Sequence, residues 1–331
     1  MSSVDVIVPC YRYAHFLCEC VQSVLSQPVS PLRVAIIDDA SPDNTAEVAT
    51  MLAREDRRVT SLRHRANRGH IATYNEGLEW ASADYVLLLS ADDYLAPGAL
   101  RRSTDFMDAH PKVGFAFGSA LELYEDNTTR SVRPPISIPT TTRTRVLAGS
   151  EFVDISRSRN IVPTPSAVVR TSLQHRVGGY RPELPHAGDM EMWLRLASHA
   201  SVGVLAACQA VYRRHRRNMS RAYTGRNALF DLMQRHAAIQ CFDPAGSGTS
   251  KLSDAQYRSM LRWLAGDAIG FASTAFNQGA FDACNELSRF AVCVSPGITR
   301  TIGWTKLACK RRLGLERWRA LAGMLGRRIE P

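Results

Sequence analysis

The chain has 331 residues, 45% hydrophobic and 22% charged, the balance of a globular protein with room for two domains. No apolar stretch reaches the length of a membrane span and no signal peptide opens the sequence, so an intracellular protein is expected. The net charge of +10 favours anionic partners: nucleotides, nucleic acid or an anionic membrane surface.

In chain order, Val4 to Val8 reads as a first strand. Phe16, Leu17, Cys20, Val21, Val24 and Leu25 then recur at helical spacing, and Pro28 ends that helix. Val34 to Ile37 is a second buried strand that stops at Asp38 and Asp39. A turn at Ser41-Pro42-Asp43-Asn44 leads into a helix from Thr45 to about Arg54, followed by a strand from Val59 to Leu62. Asn75 to Ala83 ends a further helix. Tyr85 to Leu89 is a short apolar run between turn-forming residues, hence a buried strand, and it delivers Asp92 and Asp93. This alternation predicts an α/β fold with a mostly parallel, doubly wound, Rossmann-like sheet. No G-x-G-x-x-G follows the first strand and no G-x-x-x-x-G-K occurs, which argues against dinucleotide-binding and P-loop proteins.

Residues 125–165 are rich in Thr, Arg, Ser and Pro and suit a long surface segment or lid. Ser166 to Val169 resumes a strand, Asp189 to Ala197 is an amphipathic helix carrying Trp193, Leu194 and Leu196, and Val202 to Tyr212 is strand-like. It leads into Arg213-Arg214-His215-Arg216-Arg217. Beyond Asn227 the pattern is helical: Ala228 to Ile239, a linker at 243–248, and a capping box at Ser253-Asp254-Ala255-Gln256. Asp267 to Pro296 looks like one helix hairpin of the tetratricopeptide kind, too little for a solenoid and therefore packing support. The domains expected are 1–225 and a C-terminal α-helical region, 226–331. From Trp304 to Ile329, Trp, Leu and Met mix with many Arg and Lys, which suits either an anionic membrane surface or a solvated helix packed on the first domain. Eight cysteines without C-x-x-C spacing argue for free thiols and against structural zinc.

Asp92 and Asp93 lie just past a strand end, where open α/β sheets bind ligands. Carboxylates there suit a hard divalent cation and, through it, a diphosphate. The alternative is that Asp92 caps the helix expected near Pro97-Gly98.

Four segments follow one another in a telling order: Val6-Ile7-Val8-Pro9-Cys10-Tyr11, Ile36-Ile37-Asp38-Asp39-Ala40-Ser41, Ser90-Ala91-Asp92-Asp93, and Gly188-Asp189-Met190-Glu191-Met192-Trp193-Leu194-Arg195. Together they resemble the family 2 glycosyltransferases, which have the GT-A fold and depend on a metal; the likeness covers about residues 1–222. The resemblance implies that Pro9 and Tyr11 wall a nucleobase pocket. Asp39 would accept a hydrogen bond from the base, which selects a pyrimidine imide, with a helix cap as the alternative role. Asp92 would accept from the ribose hydroxyls, and Asp93 would bind Mg²⁺ or Mn²⁺ bridging the donor diphosphate. Asp189 matches the general base, with Glu191 second and an N-cap as the alternative role.

Tyr212 to His215, with Asn218 and Ser220, resembles the segment that closes the family's catalytic domain. There His215 would touch metal or diphosphate, and the arginines would either pair with phosphate or form a solvated loop. Asn67-Arg68-Gly69 and Asn75 also fit. The family often has Arg where Tyr74 stands, so Arg68 is expected to take over that phosphate contact. The Q-x-x-R-W signature of processive synthases is missing.

The activity implied is inverting transfer of one sugar from a UDP- or dTDP-sugar to a hydroxyl of a glycan or lipid-linked acceptor. The implied setting is polysaccharide, O-antigen or other glycoconjugate biosynthesis for the cell envelope, in the cytoplasm, with peripheral contact at the inner face of the membrane. An inactive sugar-nucleotide-binding assembly subunit is the alternative. A basic nucleic-acid binder is disfavoured, because the basic residues fall late and carry no nucleic-acid-binding motif.

Overall fold

The structure, a computed structural model, describes residues 2–125, 128–131, 143–216, 218, 228–246 and 252–324. The chain divides into two compact units, Met1–Ser156 with Asn160–Asn218, and Arg157–Arg159 with Met219–Pro331. The boundary expected at 225 lies outside the described residues. The capture of residues 157–159 by the second unit had no signal in the sequence.

The first unit is built on one mixed sheet. Its strands are β1 (Val4–Cys10), β2 (Leu32–Asp38), β3 (Val59–Arg63), β4 (Tyr85–Leu88), β5 (Tyr94–Leu95), β6 (Val113–Tyr124), β7 (Thr129–Ser131), β8 (Arg145–Leu147), β9 (Val168–Arg170) and β10 (Ser201–Arg214). The order is β3-β2-β1-β4-β9-β6-β10-β5, with β7 on β6 and β8 on β10. β3, β2, β1 and β4 are mutually parallel, β9 is antiparallel to both β4 and β6, and β6 is parallel to β10. Six strands therefore point one way, and β1, β2, β4 and β10 end at the same edge.

Every residue of β1 is buried, as expected for a parallel strand covered on both faces. Val4, Val6 and Val8 share a core with Leu17, Cys20, Val21 and Val24 of α1 (Ala14–Leu25), Ala49 and Leu52 of α2 (Thr45–Glu55), and Leu100 and Met107 of α4 (Ala99–Ala109). Ile7 points the other way, toward α3 (His70–Trp80), as the two-residue period of a strand requires. α3 comes so close that a Cβ on Gly77 would lie 2.1 Å from Ile7 Cγ2.

The expected lid at 125–165 is corrected in its described parts. They hold β7, β8 and α5 (Gly149–Ser156), which buries Phe152 and Val153. The cause is aromatic: Phe152 packs edge-on to Phe115 at 5.5 Å and to Phe117 at 6.2 Å, both on β6. Beyond it come α6 (Thr171–Val177) and α7 (Gly188–Ala197).

The second unit contains α8 (Ala228–Gln240), α9 (Asp254–Asn277), α10 (Phe281–Val294), α11 (Ile302–Leu313) and α12 (Leu315–Met324). The N-cap of the expected capping box forms, with Ser253 Oγ accepting from the Gln256 N–H at 3.2 Å. The hairpin is α9 with α10, and its first helix starts thirteen residues before the expected Asp267 because that cap sets its beginning.

Candidate active site

β1, β2 and β4 deliver Pro9, Asp39 and the Asp92-Asp93 pair to one sheet edge. The register sets Cys10 beside Asp38 and Ile7 beside Leu88. Pro9 is buried and its carbonyl accepts from the Ala91 N–H at 3.3 Å, while Tyr11 stands half out of the surface at the strand end.

Asp92 and Asp93 are 5% and 2% exposed. Asp92 is not a helix cap, since the N-cap of α4 is Gly98 and carries no side-chain bond. β10 passes antiparallel to β5, which puts the Arg213 N–H 3.0 Å from Asp93 Oδ1. Arg213 Nη1 donates to the Asp92 carbonyl at 3.0 Å. His215 Nε2 lies 3.1 Å from Asp92 Oδ2, and Asn218 Nδ2 donates to the same oxygen at 3.3 Å. Asn218 Oδ1 in turn accepts from the His215 N–H at 2.6 Å, and the His215 ring lies against Tyr13 and Phe16. The closing segment thus binds the acidic pair directly; Ser220 lies outside the described residues.

Burial, reinforced by the neighbouring Asp92 charge, pushes the Asp93 carboxyl well above the usual range. Arg213 does not neutralise it with a free guanidinium. That group packs between Phe16 and Tyr94 and pairs with Glu19. Arg214 pairs with Glu122, and Arg216 with Glu125. The described arginines of the cluster are thus each paired with a carboxylate. The sequence could not display this, because Glu19 and Glu122 lie 194 and 92 residues away.

Asp39 is buried and heavily engaged. Oδ1 accepts from the Arg68 N–H at 2.7 Å and lies 2.6 Å from His64 Nδ1, and Oδ2 accepts from the Gly69 N–H at 2.9 Å. It does not cap α2, whose N-cap is Asn44. His64 continues to Glu76, its Nε2 lying 3.0 Å from Glu76 Oε2. The Arg68 guanidinium pairs with Glu76 and is exposed. His64 and Glu76 are site residues that sequence reasoning missed; the only signal was a His directly after β3.

Asp189 sits in the first turn of α7, whose N-cap is Ala187, so it is not the cap. Thr164 Oγ1 donates to Asp189 Oδ2 at 2.8 Å, and the Tyr180 hydroxyl donates as well. Burial raises the Asp189 carboxyl above the usual range, while Thr164, Tyr180, His70 and His186 oppose the rise. Asn75 holds Tyr180 by two backbone bonds, accepting from its N–H at 2.6 Å and donating to its carbonyl at 2.9 Å. Glu191, the second candidate base, is fully buried and held by Arg181 at 3.0 Å and Arg195 at 2.8 Å. Tyr74 stacks edge-on against Tyr180, and its phenol is kept protonated by burial and by Asp189, Asp92 and Asp93. One ring is thus in electrostatic reach of both the acidic pair and the candidate base.

A statistical description of glycosyl transferase family 2 matches residues 5–160, which carry Pro9, Asp39 and the Asp92-Asp93 pair. Residues 5–160 thus match a family 2 glycosyl transferase domain. The chain is 32% identical over 102 residues to the uncharacterized glycosyltransferase EpsJ of Bacillus subtilis, covering 31% of this chain and 29% of EpsJ. It is also 28% identical over 212 residues to an uncharacterized protein of Mycobacterium tuberculosis, covering 60% of this chain and 63% of the relative. The chain thus spans less than two thirds of either relative. Among solved structures it resembles residues 1–349 of Staphylococcus aureus TarS in complex with UDP-GlcNAc. That likeness has a TM-score of 0.69 and 17% identity, over 98% of this chain and 92% of that one. A mannosyltransferase of Pyrobaculum calidifontis in complex with GDP-Man and Mn²⁺ follows at a TM-score of 0.57 and 19% identity, over 94% and 86%. The sheet with its flanking helices is the GT-A α/β fold that the motifs implied, followed by a helical region.

Proposed function

We propose that this family 2 protein is a non-processive, inverting glycosyltransferase. It moves one sugar from a UDP- or dTDP-sugar to a hydroxyl of a glycan or lipid-linked acceptor, on the cytoplasmic side, for polysaccharide or other glycoconjugate synthesis. The observation that carries this reading is the pairing, within one unit, of a buried acidic pair at the sheet edge with a separate carboxylate held by two hydroxyl donors.

In this reading Pro9 and Tyr11 flank the base. Asp39 Oδ2 accepts one N–H from Gly69 and retains acceptor capacity for the imide N–H of uracil or thymine. Asp92 receives the ribose hydroxyls. The residues fit a Mg²⁺ or Mn²⁺ ion: two adjacent carboxylates are buried, and Asp93 Oδ2 accepts no hydrogen bond among the described residues. No cluster of three or more metal-binding side chains occurs among those residues either. That suits an ion held by one or two carboxylates with the rest of its shell from phosphate. Asp93 would hold it, with His215 alongside; when bound it would supply positive charge for the leaving diphosphate.

The acceptor oxygen attacks the anomeric carbon as the bond to the diphosphate oxygen breaks. Asp189 takes the hydroxyl proton, and the nucleoside diphosphate departs with the bonding electrons. One displacement inverts the anomeric carbon. The raised proton affinity of Asp189 suits it to that task.

Calorimetry of UDP binding and a transfer assay test the reading together. UDP is expected to bind with Mn²⁺ or Mg²⁺ and far more weakly in EDTA, and Asp93→Ala removes that difference. Asp189→Asn is expected to retain metal-dependent UDP binding and lose transfer by a factor on the order of 10² or more. Wild-type transfer by Asp189→Asn overturns the base assignment, and equal UDP affinity in EDTA overturns the metal site.

A further inference from the structure

α11 and α12 close the described part of the chain, and their surface is unusual in two respects. The first is charge. Residues 302–324 contain six basic side chains and one acidic one, Glu316. Some basic groups are used internally: Lys310 donates to Ser273 and Asn277, Arg311 to Asn285, and Arg319 to the Asn277 carbonyl. Lys306, Arg312 and Arg317 are exposed and make no ion pair among the described residues.

The second is the placement of apolar side chains. α11 buries only Leu307 and Lys310. Ile302, Lys306, Cys309 and Leu313, spaced at i, i+4, i+7 and i+11, form one stripe that is exposed throughout, with Ile302 76% exposed. On α12, Arg317, Leu321 and Met324 form a second exposed stripe at i, i+4 and i+7, with Met324 85% exposed. An ordinary surface helix turns its apolar stripe to the core and its charges to water. Here large apolar groups and unpaired cations share the water-facing side.

We propose that α11 and α12 form a docking surface for an anionic lipid bilayer, with Ile302, Leu313, Leu321 and Met324 entering the headgroup boundary and Lys306, Arg312 and Arg317 meeting lipid phosphates. Charge complementarity selects the occupant. A second copy of so basic a surface would repel the first, and nucleic acid gives exposed isoleucine, leucine and methionine nothing to enter. A bilayer satisfies both halves of the pattern. No helix among the described residues is long and apolar enough to cross a membrane, so the contact is interfacial.

The test is flotation of the full chain with phosphatidylcholine vesicles, with and without phosphatidylglycerol, at low and high salt. Binding is expected only with the anionic lipid, and it weakens as salt rises. The triple variant Lys306→Glu, Arg312→Glu, Arg317→Glu should lose about 10²-fold in partition coefficient. Ile302→Ser with Leu313→Ser and Met324→Ser should leave low-salt attraction but shorten retention on the vesicle. All these positions are exposed, and unchanged circular dichroism and urea unfolding control for folding. This readout needs no sugar transfer, so it stands or falls separately from the proposed activity. Absence of flotation at low salt, or equal flotation by the charge-reversed variant, overturns the proposal. So does a wild-type dimer in light scattering that Leu313→Glu dissociates, or salt-sensitive binding to an oligonucleotide that the vesicles do not displace.

Discussion

Asp189 is held by groups that pull its proton affinity in opposite directions. Burial raises it, and the Thr164 and Tyr180 hydroxyls, with His70 and His186 nearby, bring it back toward the usual range. Arg195 and Tyr74 complete the surroundings through Tyr180. Tyr180 is itself fixed by Asn75 and by its edge-on contact with Tyr74 at 5.4 Å. Tyr180→Phe keeps the ring and removes one donor from the carboxylate. The ionised base is then less stabilised, so its proton affinity rises and the acid limb of the kcat/KM profile moves to higher pH. At the plateau kcat is expected to fall by about tenfold, because the carboxylate loses one of the two donors that orient it toward the acceptor hydroxyl. Donor KM stays unchanged. A shifted KM with an unmoved acid limb would assign Tyr180 to donor binding instead. Asp39, Asp92 and Asp93 were legible as candidates because strand ends announce themselves in a sequence. Tyr180 was not, since its clamp, Asn75, lies 105 residues earlier and Gly178-Gly179 reads as an ordinary turn.

The sheet's N-terminal half illustrates what period and turn chemistry can specify. β1, β2 and β4 bury nearly every residue, so their apolar runs were visible, and the helices between them carry their apolar stripe toward one core. The half built from β6 to β10 was less legible. Its order depends on pairings between β6 and β10, about ninety residues apart, and α5 exists because Phe152 meets Phe115 and Phe117. The approach of α3 to β1 offers a test in which two effects oppose. Alanine is the better helix former than glycine by about 1 kcal/mol, which favours Gly77→Ala. Its Cβ, however, would lie 2.1 Å from Ile7 Cγ2 and 3.2 Å from Ile37 Cδ1, both in buried strands. Overpacking of that kind costs about 1–3 kcal/mol, so the net expectation is a loss of up to about 2 kcal/mol. Urea unfolding measures it; a variant more stable than wild type would mean that α3 can move off the sheet freely.

At the scale of the whole molecule, the two units do not divide the chain at a single point. Residues 157–159 lie at the end of the stretch that matches family 2 yet belong to the helical unit, a feature that no composition change marks. What holds them there is a small polar network. Asp267 of α9 pairs with Arg159 and Arg235, Arg235 also donates to the Ser158 carbonyl at 2.7 Å, and the Arg157 guanidinium lies 3.9 Å over the Trp263 ring. Burial alone would raise the Asp267 carboxyl, but the hydrogen bonds from Arg159 and Arg235 outweigh it and hold the group below the usual range. A lowered folded-state value means that Asp267 stabilises the unit fully above the unfolded value, about 3.9, and progressively less as pH falls through the folded one. Asp267→Asn removes this dependence and leaves Arg235, buried among helices, without its carboxylate. Breaking such a pair costs about 3–5 kcal/mol when fully buried, and less here because Arg159 is partly exposed. The expected outcome is earlier urea unfolding of the helical unit at neutral pH, with a flatter fall in stability on acidification than wild type. Hydrogen exchange of α9 amides at neutral and acid pH reads both. An Asp267→Asn protein with wild-type protection at neutral pH would show that residues 157–159 are held in the helical unit by packing alone.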